Sequence, residues 1–187
     1  GTYTGGTTVR QNSSATMSSG NSGFGNSNSA LTNYGTLYLY TGGSTDWGQS
    51  IAGTGNVVID SGDTVVRTFG MGVTNTYTGT TTIGPNARVY LGGANSTSPN
   101  ATGTLGTGDI ILNGPNATLS IRRSSNMTIA SNISGTGKIE ISNVNQTDTF
   151  TGNVNITGGV FFNAANTTLK IASTGSLGSN GTFSSPI

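Results

Sequence analysis

The chain repeats one local device, a tight glycine turn followed at once by a short strand of β-branched residues. Tyr77-Thr78-Gly79-Thr80-Thr81-Thr82-Ile83 has a near-copy in Tyr3-Thr4-Gly5-Gly6-Thr7-Thr8-Val9 and a looser one in Phe150-Thr151-Gly152-Asn153-Val154-Asn155-Ile156. The copies start at residues 3, 77 and 150, so the spacings are 74 and 73 residues. In each strand alternate side chains face the same way, so one face can be buried only if another strand or coil covers it. Near-constant long spacing points to a stacked architecture. The expected organisation is one domain over 1–187 with about two and a half long repeats, at 1–74, 75–148 and 149–187.

Two more devices recur. Ile51-Ala52-Gly53-Thr54-Gly55-Asn56-Val57-Val58-Ile59 matches Ile133-Ser134-Gly135-Thr136-Gly137-Lys138-Ile139-Glu140-Ile141, and Leu105 to Leu112 is a related form. Gly84-Pro85-Asn86-Ala87-Arg88-Val89-Tyr90-Leu91 matches Gly114-Pro115-Asn116-Ala117-Thr118-Leu119-Ser120-Ile121, with a fainter copy from Asn166 to Ile171. Pro at the second turn position fixes φ, and Asn at the third is expected to take the left-handed conformation. The strands that follow should turn Val89 and Leu91, Leu119 and Ile121, and Leu169 and Ile171 inward. Gly35 to Tyr40 alternates strictly, with Leu37 and Leu39 on one face and Tyr38 and Tyr40 on the other. Short strands are also expected at Asp63 to Phe69 and Met127 to Ala130. The polar stretches at 12–30 and 42–48 read as loops.

Composition agrees with many short strands and many corners. Only 7% of residues are charged, with 32% hydrophobic, and what replaces charge is Gly, Ser, Thr and Asn. Thr favours strands, and Gly and Asn favour turns. No window carries a clean helical apolar period. Similar strand-plus-corner units recur in the same sense, with no mirrored hairpins. That favours a parallel β-helix over an antiparallel β-sandwich, the alternative. At about 20 to 25 residues per coil and about 4.8 Å per rung, roughly eight coils would form. Corner Asn and Thr should then bond along the stack.

The order of these units resembles the passenger-associated repeat of bacterial autotransporters, over most of residues 1–171. The resemblance implies a right-handed parallel β-helix at a bacterial cell surface or in its extracellular matrix, acting as a non-enzymatic scaffold for adhesion or aggregation. An alternative is the subunit of a self-assembling extracellular filament. No signal peptide and no C-terminal translocator barrel stand in the chain, and no polar cap covers either end. Head-to-tail self-association is one way to cover those ends, and the other expectation is that the chain is part of a longer passenger whose further coils cover them.

Net charge is +1, from seven Lys and Arg against six Asp and Glu, which gives no reason to propose nucleic acid. No apolar stretch nears the roughly 20 residues that span a bilayer, so membrane insertion by this segment is not expected. Cys and His are absent. That removes disulfides, thiolate metal sites and the commonest general base. No catalytic, metal or cofactor residues are assigned, and an enzyme is not expected. The one acidic pair worth weighing is Asp60 and Asp63 with Arg67, as in polysaccharide-degrading β-helices, and it reads better as a turn. Thr80-Thr81-Thr82 suggests an ice-binding array only if Thr recurs on every coil. The sequons at Asn12, Asn95, Asn100, Asn116, Asn126, Asn132, Asn145, Asn155, Asn166 and Asn180 follow from composition. The strongest binding signal is aromatic: Tyr38, Tyr40 and Tyr90 should point outward with Trp47 in a nearby loop, where they would suit a glycan or a protein ligand on a host or neighbouring cell.

Overall fold

The computed structural model describes residues 5–18, 29–40, 42–93, 100–171 and 183–184. Tyr3 and Thr4, most of the polar stretch at 12–30, Asn95, Asn180 and both chain ends lie outside these. Each passage of the chain around the axis lays down up to three strands. The first carries β1 (Thr7–Val9) and β2 (Ser14–Ser18). The second carries β3 (Leu31–Asn33), β4 (Thr36–Tyr40) and β5 (Thr45–Trp47), and the third β6 (Ile51–Ala52), β7 (Asn56–Asp60) and β8 (Arg67–Met71). The fourth holds β9 (Thr81–Ile83) and β10 (Ala87–Leu91), and the fifth β11 (Ile110–Leu112) and β12 (Thr118–Ile121). The sixth is β13 (Met127–Ile129), β14 (Ile133–Gly135) and β15 (Lys138–Ile141). The seventh is β16 (Thr147–Phe150), β17 (Val154–Ile156) and β18 (Val160–Phe162). β19 (Thr168–Ile171) and β20 (Phe183–Ser184) start another.

Two seven-stranded sheets run the length of the stack, β2-β4-β7-β9-β11-β14-β17 and β5-β8-β10-β12-β15-β18-β20. The third face is split into β1-β3-β6 and β13-β16-β19. Every strand pair is parallel, and among the described residues there is no helix. The chain is a parallel β-helix, and the antiparallel sandwich is excluded. Each long sheet has seven rungs and so six rises, about 29 Å at the usual strand spacing, and the stack makes about seven turns against the roughly eight expected. Coil length varies more than expected. Thr36 pairs with Asn56, twenty residues on, whereas Thr81 pairs with Ile110, twenty-nine on.

Register stacks like above like. In the first long sheet Leu37, Val57, Thr81, Ile110, Ile133 and Val154 form one inward column. In the second, Phe69, Val89, Leu119, Ile139 and Val160 do the same, and all five are buried. The expected inward set holds for Val89, Leu91, Leu119 and Ile121, all buried. Leu169 and Ile171, on the last rungs, are only half-buried. The one hydroxyl in the inward column of the first sheet, Thr81, is satisfied by Tyr77, whose Oη lies 2.7 Å from Thr81 Oγ1. Burial pushes the Tyr77 phenol up from its usual range.

The corners hold by two means. Asn and Thr side chains bond from rung to rung as expected: Asn33 Nδ2 donates to Asn56 O at 2.8 Å, Ile51 N to Asn75 Oδ1 at 2.9 Å and Asn153 N to Asn132 Oδ1 at 3.0 Å. Gly35, Gly55, Gly79 and Gly108 also stack directly. A Cβ at Gly55 would lie 2.4 Å from Gly35 O, at Gly79 2.2 Å from Gly55 O, and at Gly108 2.3 Å from Gly79 O.

Several expectations are corrected. Residues 14–18 form β2 rather than a loop, because Ala15 and Met17 complete the inward columns above Leu37 and Leu39. Thr45–Trp47 is a strand for the same reason. The strand expected from Asp63 begins at Arg67. Asp63 Oδ1 instead accepts the Val65 N–H at 2.7 Å and closes a turn, which leaves Val65 and Val66 exposed. Both Gly-Pro-Asn-Ala units close through a bond from the Ala N–H to the Gly carbonyl, at 3.1 Å in each. Asn86 and Asn116 are nevertheless not left-handed, while Asn166 in the faint copy is, with φ 55°. The repeated motif also serves different faces. β9 and β17 sit three coils apart in one long sheet, but the N-terminal copy, β1, lies in the three-stranded sheet β1-β3-β6.

Candidate binding surfaces

The four aromatic residues singled out by sequence fall in three places. Tyr38 and Tyr40 stand side by side on the outer face of β4. Their rings are 6.0 Å apart and inclined by 16°, two nearly parallel plates. They share that face with Thr16 and Val58 in register beside Tyr38, and with Asp60 beside Tyr40. Tyr90 points outward from β10, on a different sheet. Trp47 is not exposed in a loop. It is the inward residue of β5, 2% exposed, at the head of the column Met71, Leu91, Ile121, Ile141. Its ring packs on Phe69 and its indole N–H is bonded to Gln49 O. Alternation places it: once β5 pairs with β8, Trp47 must share the side of Met71.

Tyr90 is the centre of a group that the sequence did not suggest. Its outward column continues through Ser120 and Glu140 to Phe161, spanning three rungs or about 14 Å. The Arg122 guanidinium lies over the Tyr90 ring at 4.4 Å. Arg88 reaches across two rungs to Glu140, at 3.2 Å, and Lys138 meets the same carboxylate oxygen at 3.0 Å. Lys138 also lies over the Phe161 ring, 5.6 Å from its centroid. Beneath these side chains Thr118 and Ser120 are fully buried. The residues are up to 73 positions apart in sequence. Only stepping from Tyr90 by coil lengths of thirty, twenty and twenty-one would have found them.

The split third face opens a cleft. Residues 76 and 78 are bonded up to 51 and 53, and 104 and 107 up to 73 and 77. Among the described residues no backbone bond joins 104–107 to 127–131 below. A cleft of about 350 Å³ opens there, floored by Leu91, Leu105, Ile110, Met127 and Ile129 and rimmed by neutral side chains such as Thr76, Thr107, Thr128 and Ser131. Such a space can take an uncharged apolar group.

Asp60 and Asp63 serve the turn between β7 and β8. Ser61 N–H donates to Asp60 Oδ1 at 2.8 Å, and Arg67 pairs with Asp63 Oδ2 at 3.2 Å. The Val65 N–H and then Arg67 hold the Asp63 carboxyl below its usual range, the opposite of what a general acid needs. Thr81 faces the core and Thr82 faces out, between Val58 and Ile111, so the outer column is not a rank of Thr. Among the described residues no group of three or more acidic, His or Cys side chains could hold a metal. No described helix is long and apolar enough to cross a membrane.

Asp148 is inward on β16 between Met127 and Leu169 and fully buried. Its oxygens accept the Met127 N–H at 3.2 Å and Asn143 Nδ2 at 2.9 Å, yet burial outweighs these bonds and pushes its carboxyl up. Because the folded value lies above the unfolded 3.8, the unfolded chain ionises first as pH rises past it. Stability then falls with rising pH until the folded carboxyl also ionises, and stays lower above that point. Asp148→Asn removes this cost. The Asn143 Oδ1, buried without a partner, can turn to accept from the new amide. Denaturation of both proteins from acid to neutral pH should show the variant gaining on the wild type as pH rises. A constant difference would mean that the Asp148 carboxyl titrates alike in the folded and the unfolded chain.

No family model, curated protein or solved structure matches this chain.

Proposed function

We propose that this chain is a non-enzymatic β-helical scaffold of passenger type, serving adhesion, aggregation or matrix formation at a bacterial cell surface. The observation that carries this is the division of labour across each strand. Inward columns of Ile, Leu and Val stiffen the stack, which leaves long outer faces of Thr, Ser, Asn and aromatic residues for contact. The motif order that resembles passenger repeats supports the same conclusion, and so does the use of Asp60, Asp63 and Arg67 in a turn. Extracellular placement follows from that resemblance. The purified chain, coated on beads and offered to bacterial cells and a panel of glycans, should retain one or both. Beads that retain neither would reduce the chain to a spacer between other domains.

A further inference from the structure

We infer that the outer face of the sheet through β10, β12, β15 and β18 is a binding site for a carboxylate-bearing glycan, centred on Tyr90 and Arg122. The inference rests on the adhesive function above and names its ligand class.

Charge is scarce in this protein, at 7% of residues, yet Arg88, Arg122, Lys138 and Glu140 gather on one face. Three cations against one carboxylate leave a local excess of positive charge. Glu140 occupies two of the cations, Arg88 and Lys138. Arg122 is different: among the described residues its guanidinium has no carboxylate or carbonyl partner and rests on the Tyr90 ring. A guanidinium that lies over an aromatic face spends none of its N–H donors on that contact, and they remain for a carboxylate, which a guanidinium can bind bidentately. The ring beside it offers an apolar plate to the C–H face of a sugar. Phe161 offers a second plate three rungs along the same column, with the Lys138 ammonium over it. The two plates, each with a cation, therefore lie in line along the stack axis, about 14 Å apart, and a linear uronate-containing chain laid along the axis would meet both. A neutral glycan would leave Arg122 unpaired. Nucleic acid would need a larger positive surface than three cations offset by Glu140 in a chain of net charge +1.

The test is binding of the folded chain to immobilised alginate, to dextran and to a single-stranded oligonucleotide, at low and high salt, with melting curves as a check on folding. Alginate should bind, more weakly at high salt, and dextran should not. Arg122→Gln should weaken alginate binding about tenfold, the loss of a charge-assisted hydrogen bond, and Tyr90→Leu should weaken it several-fold. Lys170→Gln removes the same charge from the exposed face of β19 and should leave binding unchanged. Dextran bound as well as alginate, equal losses from Arg122→Gln and Lys170→Gln, or tighter binding to the oligonucleotide would overturn the inference. Cells or neutral glycans bound equally by wild type and Arg122→Gln would overturn it while leaving the adhesive function standing.

Discussion

Ile83→Asp should abolish the cooperative fold or cost about 4 kcal/mol or more, since it places an unpaired carboxylate in a column closed above and below. Ile83 is fully buried, with Ile59 on the rung before it and Leu112 on the rung after. The buried hydroxyl on the same strand, Thr81, is already engaged by Tyr77. Val89→Asp, between Phe69 and Leu119, should behave alike. The outward neighbours set the contrast. Tyr90→Ser and Arg88→Ser should cost far less, although Arg88→Ser gives up the pair with Glu140 and so should cost about 1 kcal/mol. Urea denaturation followed by far-ultraviolet circular dichroism would rank the four. Equal losses from inward and outward changes would mean that the faces of these strands are misassigned.

Gly79→Ala should cost about 3 kcal/mol through one methyl group. The conformation at Gly79 is one that any residue can adopt, since its φ is not positive. What forbids a side chain is space: the added Cβ would lie 2.2 Å from Gly55 O and 2.5 Å from its carbonyl carbon. Those atoms are backbone, fixed by the bond from Asn56 N to Gly35 O just above, so relief requires prising two coils apart. Gly43→Ala is the control. A Cβ there meets nothing within 4 Å, and the change should stay within about 0.5 kcal/mol. A mild Gly79→Ala would show that the coils can separate locally at this corner.

Much of the fold was legible in residues taken a few at a time. Alternation in Gly35 to Tyr40 and in Ala87 to Leu91 assigned inward and outward sides correctly, because a strand has a strict two-residue period whatever it packs against. The glycine-turn units marked corners, and their recurrence in one sense implied parallel coils. Where alternation was brief, as at Ser14–Ser18 and Thr45–Trp47, polar residues hid strands that only pairing with a neighbouring coil could reveal. Trp47 was misplaced for that reason, and the Asp63 turn for its converse, a side-chain bond that competes with the strand.

The face on which each unit falls was decided by the tertiary structure alone. One motif enters the long sheet at β9 and β17 and a short one at β1, since every corner of a three-sided coil asks for the same turn and the same strand. The glycines carry two different demands that look identical in sequence. Gly53 and Gly135 need positive φ, at 104° and 122°, whereas Gly55, Gly79 and Gly108 need only the absence of a side chain beneath the coil above. The Tyr90 group is the further case: the inward ladder follows from local pattern, but which outward residues share a column depends on coil lengths that vary from twenty to thirty residues. Those lengths are set by how far each corner must travel before its next apolar residue can drop onto the one beneath, and that distance exists only once the coils are stacked.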